Sequence, residues 1–165
     1  MSMLIQNSNI VVGVVPVDLQ DGANAGDWVS MKDYNRCTIV VVTAIGTAGD
    51  DAVLDLNQAT DNSGTSTKAL TFTDIYEKIG ATAISAVGQY TLTTQAAAGT
   101  YTNATSAENE ALQVIEVQAS DLDATNDFDH IQLSIADVGG NAQLGTVLYI
   151  LHEPRHAAQI TPSAL

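Results

Sequence analysis

Basic side chains are scarce in this chain. Lys32, Arg36, Lys68, Lys78 and Arg155 stand singly against nineteen acidic residues, for a formal net charge of −14. Phosphate binding needs clustered Lys and Arg, so the composition argues against nucleic acid as a partner, and against an anionic membrane surface on the same ground. Cys37 is the only cysteine, so no internal disulfide can form, and its place at the head of an apolar run predicts a buried, inert thiol. No apolar stretch approaches the ~18 residues of a membrane-crossing helix. The opening Met-Ser-Met-Leu-Ile-Gln-Asn-Ser-Asn lacks the positive leader and long apolar block of a signal peptide, which predicts a protein made and kept in a cytosol-like compartment.

Catalytic and cofactor motifs are missing as well. His152 and His156 are four apart, the spacing of two zinc ligands on one helical face, but Pro154 lies between them and argues against a helix. With His130 they are the only histidines, and no Gly-x-Ser-x-Gly elbow accompanies them. Asp121, Asp123, Asp127 and Asp129 have the density of a calcium loop without its pattern. Counted from Asp121, the sixth position is Asn126 where glycine is wanted and the twelfth is Gln132 where a bidentate glutamate is wanted, so the segment reads as an acidic turn between two strands. Asp50-Asp51 and Asp61-Asn62 are ordinary turn chemistry. Gly46-Thr47-Ala48-Gly49 runs into Asp50-Asp51 rather than the Lys-Ser/Thr of a phosphate loop. One Trp (Trp28), two Phe and five Tyr leave little to stack on a sugar. The reading is a protein that is not an enzyme, with no cofactor and no metal.

What the chain does have is apolar material in strand-length pieces. At 165 residues, 45% apolar and only 15% charged, it is long enough for one domain that buries roughly 70% of its unfolded surface. Ile10 to Val15 and Thr38 to Ile45 are near-continuous Val/Ile runs and predict fully buried strands; Val53 to Ala59 and Ile131 to Ile135 alternate and predict half-buried ones. Leu112 to Ala119 reads as a strand despite a capping-box pattern at Thr105 and Glu108, and Gly145 to His152 is the last strand, closed by Pro154. Val138-Gly139-Gly140-Asn141 predicts a turn joining the last two strands as a hairpin. Asp74, Glu77 and Gly80 predict one short helix over Asp74 to Ile79. From Gly80 to Ala107 the chain is Ala, Thr, Ser and Gly with few large apolar groups (Ile84, Val87, Tyr90, Leu92, Tyr101), a long surface loop or loosely patterned hairpin. The fold class is all-β with one short helix: an antiparallel β-sandwich or small barrel-like domain of about seven to nine strands. Its expected core is Ile39, Val41, Leu56, Ile131, Leu133, Leu148 and Ile150.

A further set of segments carries a family likeness. These are Val14-Val15-Pro16-Val17-Asp18-Leu19-Gln20, Gly26-Asp27-Trp28-Val29-Ser30-Met31-Lys32-Asp33-Tyr34, the strand Cys37 to Thr43, and Asn57-Gln58-Ala59-Thr60-Asp61 leading to Lys68-Ala69-Leu70-Thr71-Phe72. They continue in Ala119-Ser120-Asp121-Leu122-Asp123, Asp127-Phe128-Asp129-His130-Ile131 and Tyr149-Ile150-Leu151-His152-Glu153-Pro154-Arg155-His156. In their order the chain resembles the capsid decoration, or cement, proteins of tailed bacteriophages. The resemblance implies a structural virion protein on the capsid outer surface, made in the host cytoplasm. It further implies a partner in the major capsid protein, whose subunit contacts it stabilises, and a homo-trimer on the capsid. The alternative is a receptor- or glycan-binding β module of a phage tail or fibre, and a third is a small hydrolase with a triad assembled in space.

The ends of the chain suggest how it attaches. Met1 to Val17 carry no charged side chain, and neither do Ala157 to Leu165, so both can approach another protein without burying unpaired charge. The expected organisation is a mobile arm over residues 1–9, one β domain over 10–156 and a tail over 157–165. Met1, Met3, Leu4, Ile5 and Ile10 are the candidate contacts with a neighbouring subunit or the capsid lattice, whereas the acidic loops around Asp50 and Asp121 face solvent.

Overall fold

The structure is a computed structural model and describes residues 4–80 and 89–156. Met1, Met3, Ile84, Val87 and the tail 157–165 lie outside the described residues. Along the rest, β1 (Ser8–Asp18), β2 (Asn24–Ala25), β3 (Val29–Ser30), β4 (Tyr34–Thr43), β5 (Val53–Ala59) and β6 (Lys68–Ala69) follow one another. Then come β7 (Phe72–Gly80), β8 (Thr91–Ala98), β9 (Thr100–Thr102), β10 (Glu110–Gln118), β11 (His130–Ile135) and β12 (Leu144–Pro154).

They form two antiparallel six-stranded sheets packed face to face, a sandwich and not a closed barrel. The larger sheet runs β1-β12-β4-β10-β7-β8. In the smaller one β11 and β5 are central, β2 and β3 pair with β11, and β6 and β9 pair with β5. The strands beyond the expected seven to nine are the two- and three-residue pieces, too short to leave a period in the sequence.

Between the sheets, Ile39, Val41, Leu54, Leu56, Ile75, Ile115, Ile131, Leu133, Ile135 and Tyr149 are fully buried, each worth about 1.5–3 kcal/mol against exposure. Tyr149 also ties the two sheets, its Oη accepting the Leu133 N–H at 2.8 Å. The chain passes close over that ring at Gly13, where a Cβ would collide with Tyr149.

Several expectations are corrected. Leu148 and Ile150 belong to the outward face of β12, and Val147, Tyr149 and Leu151 point into the core. The run Thr146 to Leu151 is apolar on both faces, so alternation could not set its register. β1 is not fully buried but is an edge strand, with Ile10 and Val12 exposed, and it starts at Ser8, which pairs with His152. In β4 only alternate residues from Cys37 to Thr43 are fully buried. Residues 74–79 are not a helix: they lie in β7, with Ile75 and Glu77 inward and Asp74 and Tyr76 outward. Pairing with β10 overrides a local capping pattern, as tertiary context commonly does. Among the described residues the one α-helical turn is Leu4–Asn7 instead. β11 and β12 do not form a hairpin, because the Gly139-Gly140 connection carries the chain from one sheet to the other. In the stretch after Gly80, residues 81–88 lie outside the described residues, β8 pairs antiparallel with β7 and β9 pairs with β5.

Candidate protein-docking face

The residues most suited to chemistry are dispersed. Cys37 is fully buried on the inner face of β4, and burial pushes its thiol up to about 12. Of the aspartates of 121–129, Asp121 ends the 3-10 turn Ala119–Asp121, Asp123 and Asp127 flank the turn Ala124–Asn126, and Asp129 follows, and they diverge to separate partners. Asp121 accepts the Gln118 N–H, Asp123 pairs with Lys68 and Asn126, and Asp129 holds Lys32 and the ring of His130. Asp61 accepts N–H bonds from Ser63 and Thr65 and the Thr65 hydroxyl, which holds its carboxyl below the usual range. Among the described residues, no three His, Cys, Asp or Glu converge as metal ligands.

One hydroxyl does meet a histidine. Thr38 Oγ1 donates to Glu116 Oε1 at 2.8 Å and lies 3.0 Å from His152 Nε2. A threonine hydroxyl has a single proton, so with that proton on Glu116 the imidazole must be the donor toward Oγ1. This histidine is therefore not placed to activate Thr38 as a nucleophile.

Sequence reasoning missed a buried carboxylate. Glu77, on the inner face of β7, accepts Gln113 and Asn103 side-chain N–H bonds on Oε1 (both 2.9 Å). Its Oε2 accepts the hydroxyls of Thr93 (2.7 Å) and Tyr101 (3.0 Å). Burial works to raise its pKa, but the four bonds outweigh burial and hold it below the ordinary glutamate value. Burial beside this carboxylate also pushes Tyr101 up to about 12. The network ties β7, β8, β9 and β10 together, and no local signal announces it because its members are scattered from 77 to 113.

The unusual surface is the outer face of the larger sheet. Val12 pairs with Leu148, Leu148 with Val40, Val40 with Val114, Val114 with Tyr76 and Tyr76 with Leu92. Directly paired residues share a face, so one apolar row crosses all six strands, spanning about 24 Å at ~4.8 Å per strand. Its ends are open: Val12 is 44% exposed and Leu92 51%. The flanking row Ile10, Ile150, Thr38, Glu116 lies on one side and Thr146, Val42, Leu112, Lys78 on the other. The Leu4–Asn7 turn folds beside the corner of this face. There Leu4, Asn7, Thr38, Ile150 and Pro154 line an open depression of about 690 Å³. The structure thus brings three of the sequence candidates, Leu4, Ile5 and Ile10, to one exposed corner. It adds Val12, Val15 and Leu144, exposed apolar residues that were overlooked. For Val12 and Val15 the signal was the near-continuous apolar run Ile10 to Val15, read as burial on both faces, and Leu144 lies one residue before the expected last strand.

Fold and face together define an antiparallel β-sandwich whose larger sheet is apolar on its inner side and along one row of its outer side. No protein-family model matches the chain, and no curated protein matches it.

Proposed function

We propose that this chain is a structural virion protein that binds the outer surface of a phage capsid and stabilises contacts between major capsid protein subunits, as a homo-trimer on the capsid. The observation that carries the reading is the apolar row across the outer face of the larger sheet. An apolar row with exposed ends at Val12 and at Tyr76 and Leu92, and half-buried Leu148 and Val40 between them, suits a site that another protein covers, and here it occurs in a molecule whose charge keeps it soluble until covered. Leu4, Ile5 and Ile10 extend the face at its corner, and Met1 and Met3 precede them in sequence. The resemblance to decoration proteins supplies the capsid as partner.

The test is co-sedimentation with expanded empty shells of the phage whose genome encodes the chain. The wild-type chain is expected to saturate the shells. Val12→Lys, and separately deletion of residues 1–7 ahead of β1, should sharply reduce occupancy while the melting temperature of the free protein moves little. A wild-type chain that leaves the shells bare would overturn the proposal.

A further inference from the structure

The docking face is not uniform, and its charge distribution bears on what covers it. On β1, β12 and β4 it carries no charged side chain between Asp18 at one end and the Arg36–Glu153 ion pair (3.3 Å) at the other. On β10 and β7 it carries Glu110, Glu116 and Asp74 together with Lys78, whose Nζ sits 4.6 Å from the centre of the Tyr90 ring, and Glu116 Oε2 lies 3.9 Å from Nε2 of His152 on β12. A depression of about 340 Å³ opens beside these carboxylates, where outward Asp74, Tyr76 and Glu116 meet the core residues Leu70, Phe72 and Val117.

Resting on the proposed function, we infer that the covering surface is polarised in the complementary sense: apolar and neutral where it meets β1, β12 and β4, basic where it meets β10 and β7. The polarity fixes the orientation in which the chain sits on its partner. A second copy of this chain fits the whole face poorly. If two copies stack with like strands over one another, Glu116, Glu110 and Asp74 confront their own kind. If they stack in the reverse order, those carboxylates are buried against Val12, Leu148 and Val40 with no counter-charge. Either arrangement costs more than a partner bearing Lys or Arg on that side. A polarised partner meets neither penalty, and its basic side chains can lay their aliphatic stems on the exposed Tyr76 ring with the charged ends toward the carboxylates.

The experiment measures affinity for the empty shells at low and moderate salt for four proteins: wild type, Asp74→Lys/Glu116→Lys, Asp74→Asn/Glu116→Gln, and Leu148→Lys. The charge-reversed variant should bind roughly tenfold or more weakly than wild type at low salt, the neutral variant by less, and added salt should weaken wild type more than either. Circular dichroism checks the fold, and the neutral pair with its salt dependence decides the matter if reversal disturbs folding. Unchanged or tighter binding by the charge variants would overturn the inference while leaving the docking reading intact, provided Leu148→Lys still abolishes binding. Wild-type protein that ignores the shells would overturn both. Sedimentation of the free chain tests the remaining occupant: tight self-association abolished by Leu148→Lys would replace the basic partner with a second copy.

Discussion

The two sheets of this sandwich turn the same kind of residue inward and different kinds outward. In the smaller sheet, β11 and β5 set Gln132 opposite Asn57 and Ser134 opposite Asp55 on the outer side. At the equivalent positions of the larger sheet, Leu148 faces Val40 and Val114 faces Tyr76. A sheet that packs on one core needs only one apolar face, and the smaller sheet is built that way. The second apolar face of the larger sheet therefore serves something other than the common core, and a protein partner is what such a face suits. The same contrast explains why the chain is 45% apolar and yet so acidic. Many of its carboxylates lie on turns and on one flank of the larger sheet, and on β1, β12 and β4 they are confined to the strand ends, at Asp18 and Glu153.

The comparison is broken most forcefully from inside. Leu133 is fully buried between the sheets, and its neighbour Gln132 points outward. Leu133→Ala should lower stability by about 2–5 kcal/mol, because the surroundings refill such a cavity only in part. Gln132→Ala should cost far less. Paired melting curves check this, and equal losses at the two positions would mean that the faces of β11 are misassigned.

Where the sequence alternates, the fold was legible in it. β5 and β11 appear within a residue of their expected bounds because polar residues every second position mark one face as outward. Leu56, Ile131 and Leu133 are buried as expected for the same reason, and Ile39 and Val41 are buried as expected although their run does not alternate. In β12 and β1 both faces are apolar, so the strand could be recognised but not the side that faces the core, and Leu148 and Ile150 were placed inward by one residue of slip. β7 was taken for a helix because Asp74, Glu77 and Gly80 satisfy a local pattern, whereas what fixes the segment is pairing with a strand more than thirty residues on. The docking face was half legible. The absence of charge from its N-terminal segment could be read from the residues, but the row across six strands exists only through register, which no single segment encodes.

Adjacent valines in β4 offer a gentler test of the same contrast. Val41 is fully buried toward the core, and Val40 stands on the outer row between Leu148 and Val114. Valine and threonine have nearly the same shape, so the substitution changes little except for placing a hydroxyl on one face or the other. Val41→Thr should cost about 1–3 kcal/mol by burying a hydroxyl without an assured partner. Val40→Thr should cost clearly less in the free protein and show its effect in binding to the shells. If Val40→Thr destabilised the free chain as much as Val41→Thr, the outer face would already be covered within the chain, and the docking reading would lose its basis.

The smallest expected effect concerns the place where the inner face departs from being apolar. Glu77 is ionised there because four donors hold it, and replacing it with glutamine keeps the shape. The amide oxygen can still accept from Gln113 and Asn103, and the hydroxyls of Thr93 and Tyr101 can turn to accept from the amide nitrogen. Neutral bonds replace charge-assisted ones while the cost of burying a charge disappears, so Glu77→Gln should lose only about 1 kcal/mol at pH 7. The pH dependence is the sharper readout. The folded pKa of Glu77 lies below its unfolded value of roughly 4.3, so its contribution is present above that value and is lost as pH falls through the folded pKa. Wild type should therefore be the more stable at neutral pH, and its advantage should shrink below about pH 4, where the protonated side chain resembles the amide. Melting temperatures of both proteins from pH 7 to pH 3 would show this, and curves that stayed parallel to pH 3 would mean that Glu77 does not carry its charge into the folded core.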